Sequence, residues 1–121
     1  MSKKILVVED TEDNRQILRD LLSAAGYDMI EAHDGAEGVA KASEHRPDLI
    51  LMDIQMPVMD GYEATRRIKA DPVLMSIPVI AVTSYALSGD EDKARAAGCD
   101  GYVAKPFSPR QMLAKVREIL G

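Results

Sequence analysis

Asp48-Leu-Ile-Leu-Met-Asp53-Ile-Gln-Met-Pro57 holds four consecutive apolar residues, Leu49 to Met52, between two aspartates. Four are too few for a helix face, and they do not alternate with polar residues. Such a run reads as a strand buried on both faces, as in the middle of a parallel sheet. Open α/β sheets keep their ligands in the crevice beyond the carboxyl ends of the strands, where Asp53 falls. Pro57 cannot donate to a ladder, so the strand has ended by then and the chain turns. Asp53 is thus presented at a mouth; alone, it could equally do no more than cap the turn that follows.

Working outward, Lys4-Ile-Leu-Val-Val8 and Ile77-Pro-Val-Ile-Ala-Val-Thr83 are further apolar runs of strand length, with Pro78 tolerated only near a strand start. Tyr27 to Ala32 is half-polar and suits an edge. Gly101-Tyr-Val-Ala104 is a short fifth strand leading into Lys105-Pro106. Helical stretches separate them. The first has Thr11 as N-cap, an apolar face of Ile17, Leu18, Leu21, Leu22 and Ala25, and Gly26 as its stop. Asp34-Gly-Ala-Glu37 and Asp60-Gly-Tyr-Glu63 have capping-box spacing with an acid in first place, and Ser88-Gly-Asp-Glu91 is a true box. The second helix ends before Pro47, the third by Asp71-Pro72 and the fourth at Ala97, before Gly98. Ser108-Pro109-Arg-Gln111 opens the last helix, which buries Met112, Leu113, Val116, Ile119 and Leu120. Five strands alternating with five helices imply right-handed crossovers and a parallel sheet covered on both faces.

The 121 residues suit one domain spanning 1–121, and the expectation is that nothing remains for a second. The basic start is too short for a signal peptide, and no run approaches a membrane span. The single cysteine, Cys99, permits no internal disulfide, suits a reducing cytoplasm and is expected to pack rather than react. A net charge of −5 with scattered basic residues argues against direct nucleic-acid binding. His33 and His45 read as surface residues.

The strand ends carry the chemistry. The first closes on Glu9-Asp10, the third on Asp53, the fourth on Thr83-Ser84 and the fifth on Lys105. In a parallel sheet these ends share one rim. Three converging carboxylates repel one another, and one takes up a proton unless a cation is present. Hard oxygen ligands favour Mg²⁺. An ionised aspartate beside such a cation, a lysine ammonium and a threonine hydroxyl form a phosphoryl-transfer site with Asp53 as nucleophile.

The whole chain resembles a response-regulator receiver domain of two-component signalling. Val-Val-Glu9-Asp10 resembles the family's acidic pair, and Leu-Met-Asp53-Ile-Gln-Met-Pro57-Val-Met-Asp-Gly61 the segment around its phosphorylated aspartate. Ala-Val-Thr83-Ser and Tyr102-Val-Ala-Lys105-Pro106 resemble its switch threonine, switch aromatic and lysine. The resemblance implies a (βα)5 flavodoxin-like fold with sheet order 2-1-3-4-5. It implies Mg²⁺ held by Glu9 (through water), Asp10, Asp53 and the Gln55 carbonyl, and a cis Lys105-Pro106 bond. The implied donor is a histidine kinase or histidine phosphotransferase, and the signal leaves through the face of helix 4, strand 5 and helix 5. The chain is then a phosphoryl acceptor rather than a turnover enzyme, a monomer or weak dimer, slow to dephosphorylate because Gln55 and Tyr85 flank the water path without activating it. Gly-Cys99-Asp and Lys105-Pro-Phe-Ser are most similar to single-domain cell-cycle receivers of the DivK type; the alternative is a receiver excised from a hybrid kinase or larger regulator. Two other classes fit poorly. An aspartyl phosphatase needs an acid where Gln55 stands, and a flavodoxin needs a hydroxyl- and glycine-rich loop where Glu9-Asp10-Thr-Glu-Asp13 stands.

Overall fold

Every residue of the central strand β3 (Leu49–Asp53) is buried, including its terminal aspartate. In the computed structural model, which describes residues 3–56, 59–83 and 90–120, β3 lies between β1 (Lys4–Val8) and β4 (Val79–Thr83). β2 (Asp28–Ala32) and β5 (Gly101–Ala104) form the two edges. All pairings are parallel, and the order is β2-β1-β3-β4-β5. The register sets Val8 opposite Met52, Asp53 opposite Val82 and Thr83 opposite Ala104, so the polar strand ends share one rim.

Among the described residues four helices connect the strands, α1 (Glu12–Ala24), α2 (Gly35–His45), α3 (Gly61–Ala70) and α4 (Asp90–Ala97), and α5 (Pro109–Leu120) follows β5. Strand alternation divides the core. Ile5, Val7, Leu49, Leu51, Ile80 and Val82 pack with Leu18, Leu22, Met112 and Val116 of α1 and α5. Leu6, Val8, Ile50, Met52 and Val79 pack on the other face with Ala42, Ala64 and Ile68 of α2 and α3. At about 25 cal/mol per Å² of apolar surface, burial of this two-sided kind is the main stabilising term.

The caps follow their sequence signals with two revisions. Asp34 and Asp60 accept the backbone N–H groups of Glu37 and Glu63, and Ser108 and Gln111 cap each other reciprocally. Glu37 reaches one residue further back than a capping box does, to the N–H of His33. Gly26 adopts φ +88, and the N–H groups of Gly26 and Tyr27 return to the carbonyls of Ser23 and Leu22. That left-handed stop is open to glycine without strain. Thr11 occupies the N-cap position of α1, but its hydroxyl makes no capping bond. Ile17, assigned by spacing to the apolar face of α1, is 54% exposed at the rim, and Arg15 is buried instead. The turn at Pro57, Ser84, Tyr85 and the Ser88 cap lie outside the described residues.

Candidate functional site

The ends of four strands and the loop after β3 build the site at the carboxyl rim. Glu9 follows β1, and its N–H bonds the Ala32 carbonyl at 3.0 Å, the last contact with β2. Asp53 ends β3 and Thr83 ends β4, while Lys105 follows β5 through a backbone bond to the Thr83 carbonyl at 2.7 Å. The Lys105–Pro106 bond is cis. The loop after β3 doubles back closely: the Gly61 N–H bonds the Ile54 carbonyl, and a Cβ on Gly61 would collide with the Asp53 carbonyl oxygen.

One carboxylate oxygen from each of Glu9, Asp10 and Asp53 can be chosen so that all lie within 4.8 Å of one another. Glu9 and Asp53 are almost wholly buried, and Asp10 stands at the exposed rim. Their cationic neighbour is Lys105, whose Nζ lies 2.8 Å from Glu9 Oε1 and 3.4 Å from Asp53 Oδ1. One ammonium does not neutralise three acids. Burial first, then the hydrogen bond and charge of Glu9, push the Asp53 pKa up to about 7 against the pull of Lys105. For Glu9, burial acts upward, but the hydrogen bonds with Asp53 and Lys105 prevail and hold it at about 2. Burial and Glu9 also raise Asp10. Without a cation, therefore, Asp53 keeps its proton to higher pH than an ordinary carboxyl, beside an ionised Glu9. An all-oxygen donor set with a charge deficit fits a hard divalent ion, which would displace that proton.

Gln55 touches both halves of the site. Its backbone N–H donates to Asp53 Oδ1 at 3.3 Å, and its side-chain amide donates to Thr83 Oγ1 at 2.5 Å.

The model of the response regulator receiver domain family matches residues 5–117. This chain belongs to that family. The receiver is 46% identical over 121 residues to the polar-differentiation response regulator DivK of Brucella anthropi, covering 100% of this chain and 98% of that relative. A crystal structure of the receiver domain of a Pseudomonas aeruginosa sensor histidine kinase, described with a magnesium ion coordinated in its active-site cleft, is 37% identical. It superposes with a TM-score of 0.93 over 100% of this chain and 99% of that one. Chemotaxis protein CheY4 of Vibrio cholerae gives 31% identity and a TM-score of 0.93 over 98% and 99%. The receiver is thus a DivK-like response regulator domain with a flavodoxin-like (βα)5 architecture.

Of the rim residues that the sequence singled out, the receiver brings together Glu9, Asp10, Asp53, Thr83 and Lys105, while Ser84 lies outside the described residues. Tyr102 lies two residues short of this rim on β5, opposite Ala81, half-buried among Ile54, Tyr62, Ala94 and Cys99. Cys99 packs there with Sγ 3.8 Å from Thr65 Oγ1, and burial pushes its thiol pKa up. His33 is exposed and pairs with Glu37, and His45 stands at the surface.

Sequence reasoning missed two features of the receiver. A cavity of about 410 Å³ opens beside Asp53 and Lys105, walled by Asn14, Ile17, Leu18 and Phe107. Ile17 was the available signal, but helical spacing alone assigns it to the core. The other is Arg15, a residue only 5% exposed, whose Nη1 donates to the Glu9 carbonyl at 2.7 Å. Its spacing from Glu12 advertised only a surface ion pair.

Proposed function

We propose that this receiver accepts a phosphoryl group on Asp53 from a phosphohistidine of a histidine kinase or histidine phosphotransferase. The observation that carries the reading is the burial of Asp53 and Glu9 against one ammonium among the described residues, that of Lys105, with Asp10 at the mouth. Glu9, Asp10, Asp53 and the Gln55 carbonyl would hold Mg²⁺. When bound, that cation would offset the negative charge gathered by three acids and an incoming phosphoryl group.

Asp53 supplies the nucleophilic oxygen. Its oxygen forms a bond to phosphorus as the P–N bond of the donor breaks, and the imidazole nitrogen leaves with the electron pair and takes up a proton. Lys105 stands within 3.4 Å of Asp53 Oδ1, so its ammonium is placed to pair with a phosphoryl oxygen on the product. Thr83, buried at the same rim, offers a hydroxyl for another. The chain is an acceptor that is consumed and regenerated, rather than an enzyme acting on a separate substrate.

Incubation with acetyl phosphate and Mg²⁺ should add one phosphoryl group by intact mass. Asp53→Asn should abolish the addition, because an amide is not a nucleophile. Full labelling of the Asn variant, or of wild type in EDTA, would contradict the assignment.

Phosphorylation adds negative charge and new acceptors beside Thr83. Moving toward them, Thr83 would leave its Gln55 bond and open space along the face where Ala81 and Ala104 are small. Tyr102 can enter that space, remodelling the surface of α4, β5 and α5. A protein partner reading that surface would bind phosphorylated and unphosphorylated forms with affinities differing by a coupling of about 1–3 kcal/mol. Calorimetry with and without beryllofluoride, in wild type and Thr83→Ala, checks this: the difference should vanish in the variant.

A further inference from the structure

β1 ends at Val8, and beyond it the chain must turn the Glu9 and Asp10 side chains in different directions, one inward and one to the rim. The peptide between them has no strand neighbour to orient it, yet the Glu9 carbonyl lies in buried surroundings. Arg15, one turn into α1, supplies the donor: Nη1 to the Glu9 oxygen at 2.7 Å. With the Glu9 N–H on the Ala32 carbonyl, the residue is fixed from both sides.

The other groups of the guanidinium show what sets its position. Nη2 bonds Glu12 Oε2 at 2.6 Å, and Nε lies 3.4 Å from Glu31 Oε1. Arg19 joins the same two acids. The charge of Arg15 is therefore absorbed by Glu12 and Glu31, away from the acid cluster. Nε is buried and makes no hydrogen bond. Leaving a buried donor in that state is costly, so the side chain is held where Nη1 meets the carbonyl rather than where the fork would best meet Glu31.

We propose that Arg15 is a positioning residue for the divalent-cation site, acting through the Glu9–Asp10 peptide and not through its charge. The inference rests on the reading of Glu9, Asp10 and Asp53 as that site. Residues that orient metal ligands from behind typically govern affinity by about 10–100-fold.

The test is calorimetric titration of the whole chain with Mg²⁺ at fixed pH, alongside urea unfolding, for wild type, Arg15→Ala, Arg15→Lys and Glu31→Gln. Arg15→Ala should raise the Mg²⁺ Kd by about tenfold or more. Arg15→Lys keeps the charge, but its one ammonium must choose between carbonyl and carboxylates, so its Kd should rise by an intermediate factor. Glu31→Gln, which removes an ion-pair partner and spares the carbonyl bond, should leave the Kd within about twofold of wild type despite any loss of stability. A wild-type Kd in Arg15→Ala would overturn the proposal, as would Glu31→Gln weakening Mg²⁺ to the same degree. Should Arg15→Ala fail to fold, an unchanged Kd in Arg15→Lys would overturn it instead. If wild type itself takes up no Mg²⁺, the cation-site reading fails first and takes this proposal with it; the two failures are distinguished by that curve.

Discussion

Asp100 and Asp53 both meet a lysine, at opposite ends of the sheet, and their surroundings differ in one respect. At the amino end Asp100 Oδ2 accepts from Lys69 Nζ at 2.9 Å and from the Val79 N–H at 2.9 Å. The same Nζ also donates to the carbonyls of Met75 and Ile77. Charge there is balanced, and every group serves to join α3 to the sheet. At the carboxyl end Asp53 and Glu9 share Lys105, and Asp10 stands beside them. Charge there is in deficit. A fold gains nothing from such an excess of buried negative charge; the proposed cation and phosphoryl chemistry would use it, whereas the opposite end serves cohesion.

Breaking the balanced end should have the largest effect on stability. Lys69→Met removes three hydrogen bonds and leaves two carbonyls and a carboxylate to find water, which should cost about 2–4 kcal/mol in urea unfolding. Labelling by acetyl phosphate should survive, since the rim is untouched. A loss of labelling with intact stability would erase the distinction between the two ends.

The unbalanced end should respond to pH in the opposite sense to an ordinary ion pair. The Asp53 carboxyl is raised to about 7 in the fold, so between about 4 and 7 the folded chain holds a proton that the unfolded chain has lost. Metal-free stability should therefore fall as pH rises through that window, by about 1–3 kcal/mol after allowance for the coupling to Glu9. Glu9, held at about 2, acts the other way: its contribution is present above its unfolded value near 4.5 and lost as pH falls toward 2. Stability in EDTA should thus peak in mildly acidic solution. Asp53→Asn should remove the decline above the peak, and an unchanged decline would assign it to another group.

The smallest effect belongs to Asp48, at the amino end of β3. It accepts the Lys4 N–H at 2.8 Å in an exposed position. Asp48→Asn should change stability by about 0.5 kcal/mol or less, because an amide oxygen can accept the same bond and water screens the charge.

Much of this contrast is legible in the sequence, and the illegible part has a physical reason. Leu49 to Met52 announces a strand buried on both faces, and the acid and serine caps mark helix starts because local hydrogen bonding decides them. The rim follows, since parallel strands align their carboxyl ends and place Glu9, Asp53, Thr83 and Lys105 together. The sheet order came from resemblance, because spacing does not tell which strands are neighbours. The exposure of Ile17 and the burial of Arg15 have a tertiary reason that helical spacing does not carry. The carbonyl of Glu9 needed a donor where no strand could supply one, and Ile17 sits above a cavity rather than on the sheet. Gln55 was read for its backbone carbonyl and for its lack of an acid, while its side chain reaches Thr83 across 28 residues, a contact with no local signature.

The charge deficit at the rim is tested most directly by unfolding free energy as a function of Mg²⁺ concentration, at pH 8, in wild type and Asp53→Asn. In EDTA the Asn variant should be the more stable, because a buried charge has been removed. Added Mg²⁺ should then stabilise wild type by an amount that grows with the logarithm of its concentration, and the variant much less. Wild-type stability indifferent to Mg²⁺, together with an Asn variant no more stable than wild type in EDTA, would contradict the account.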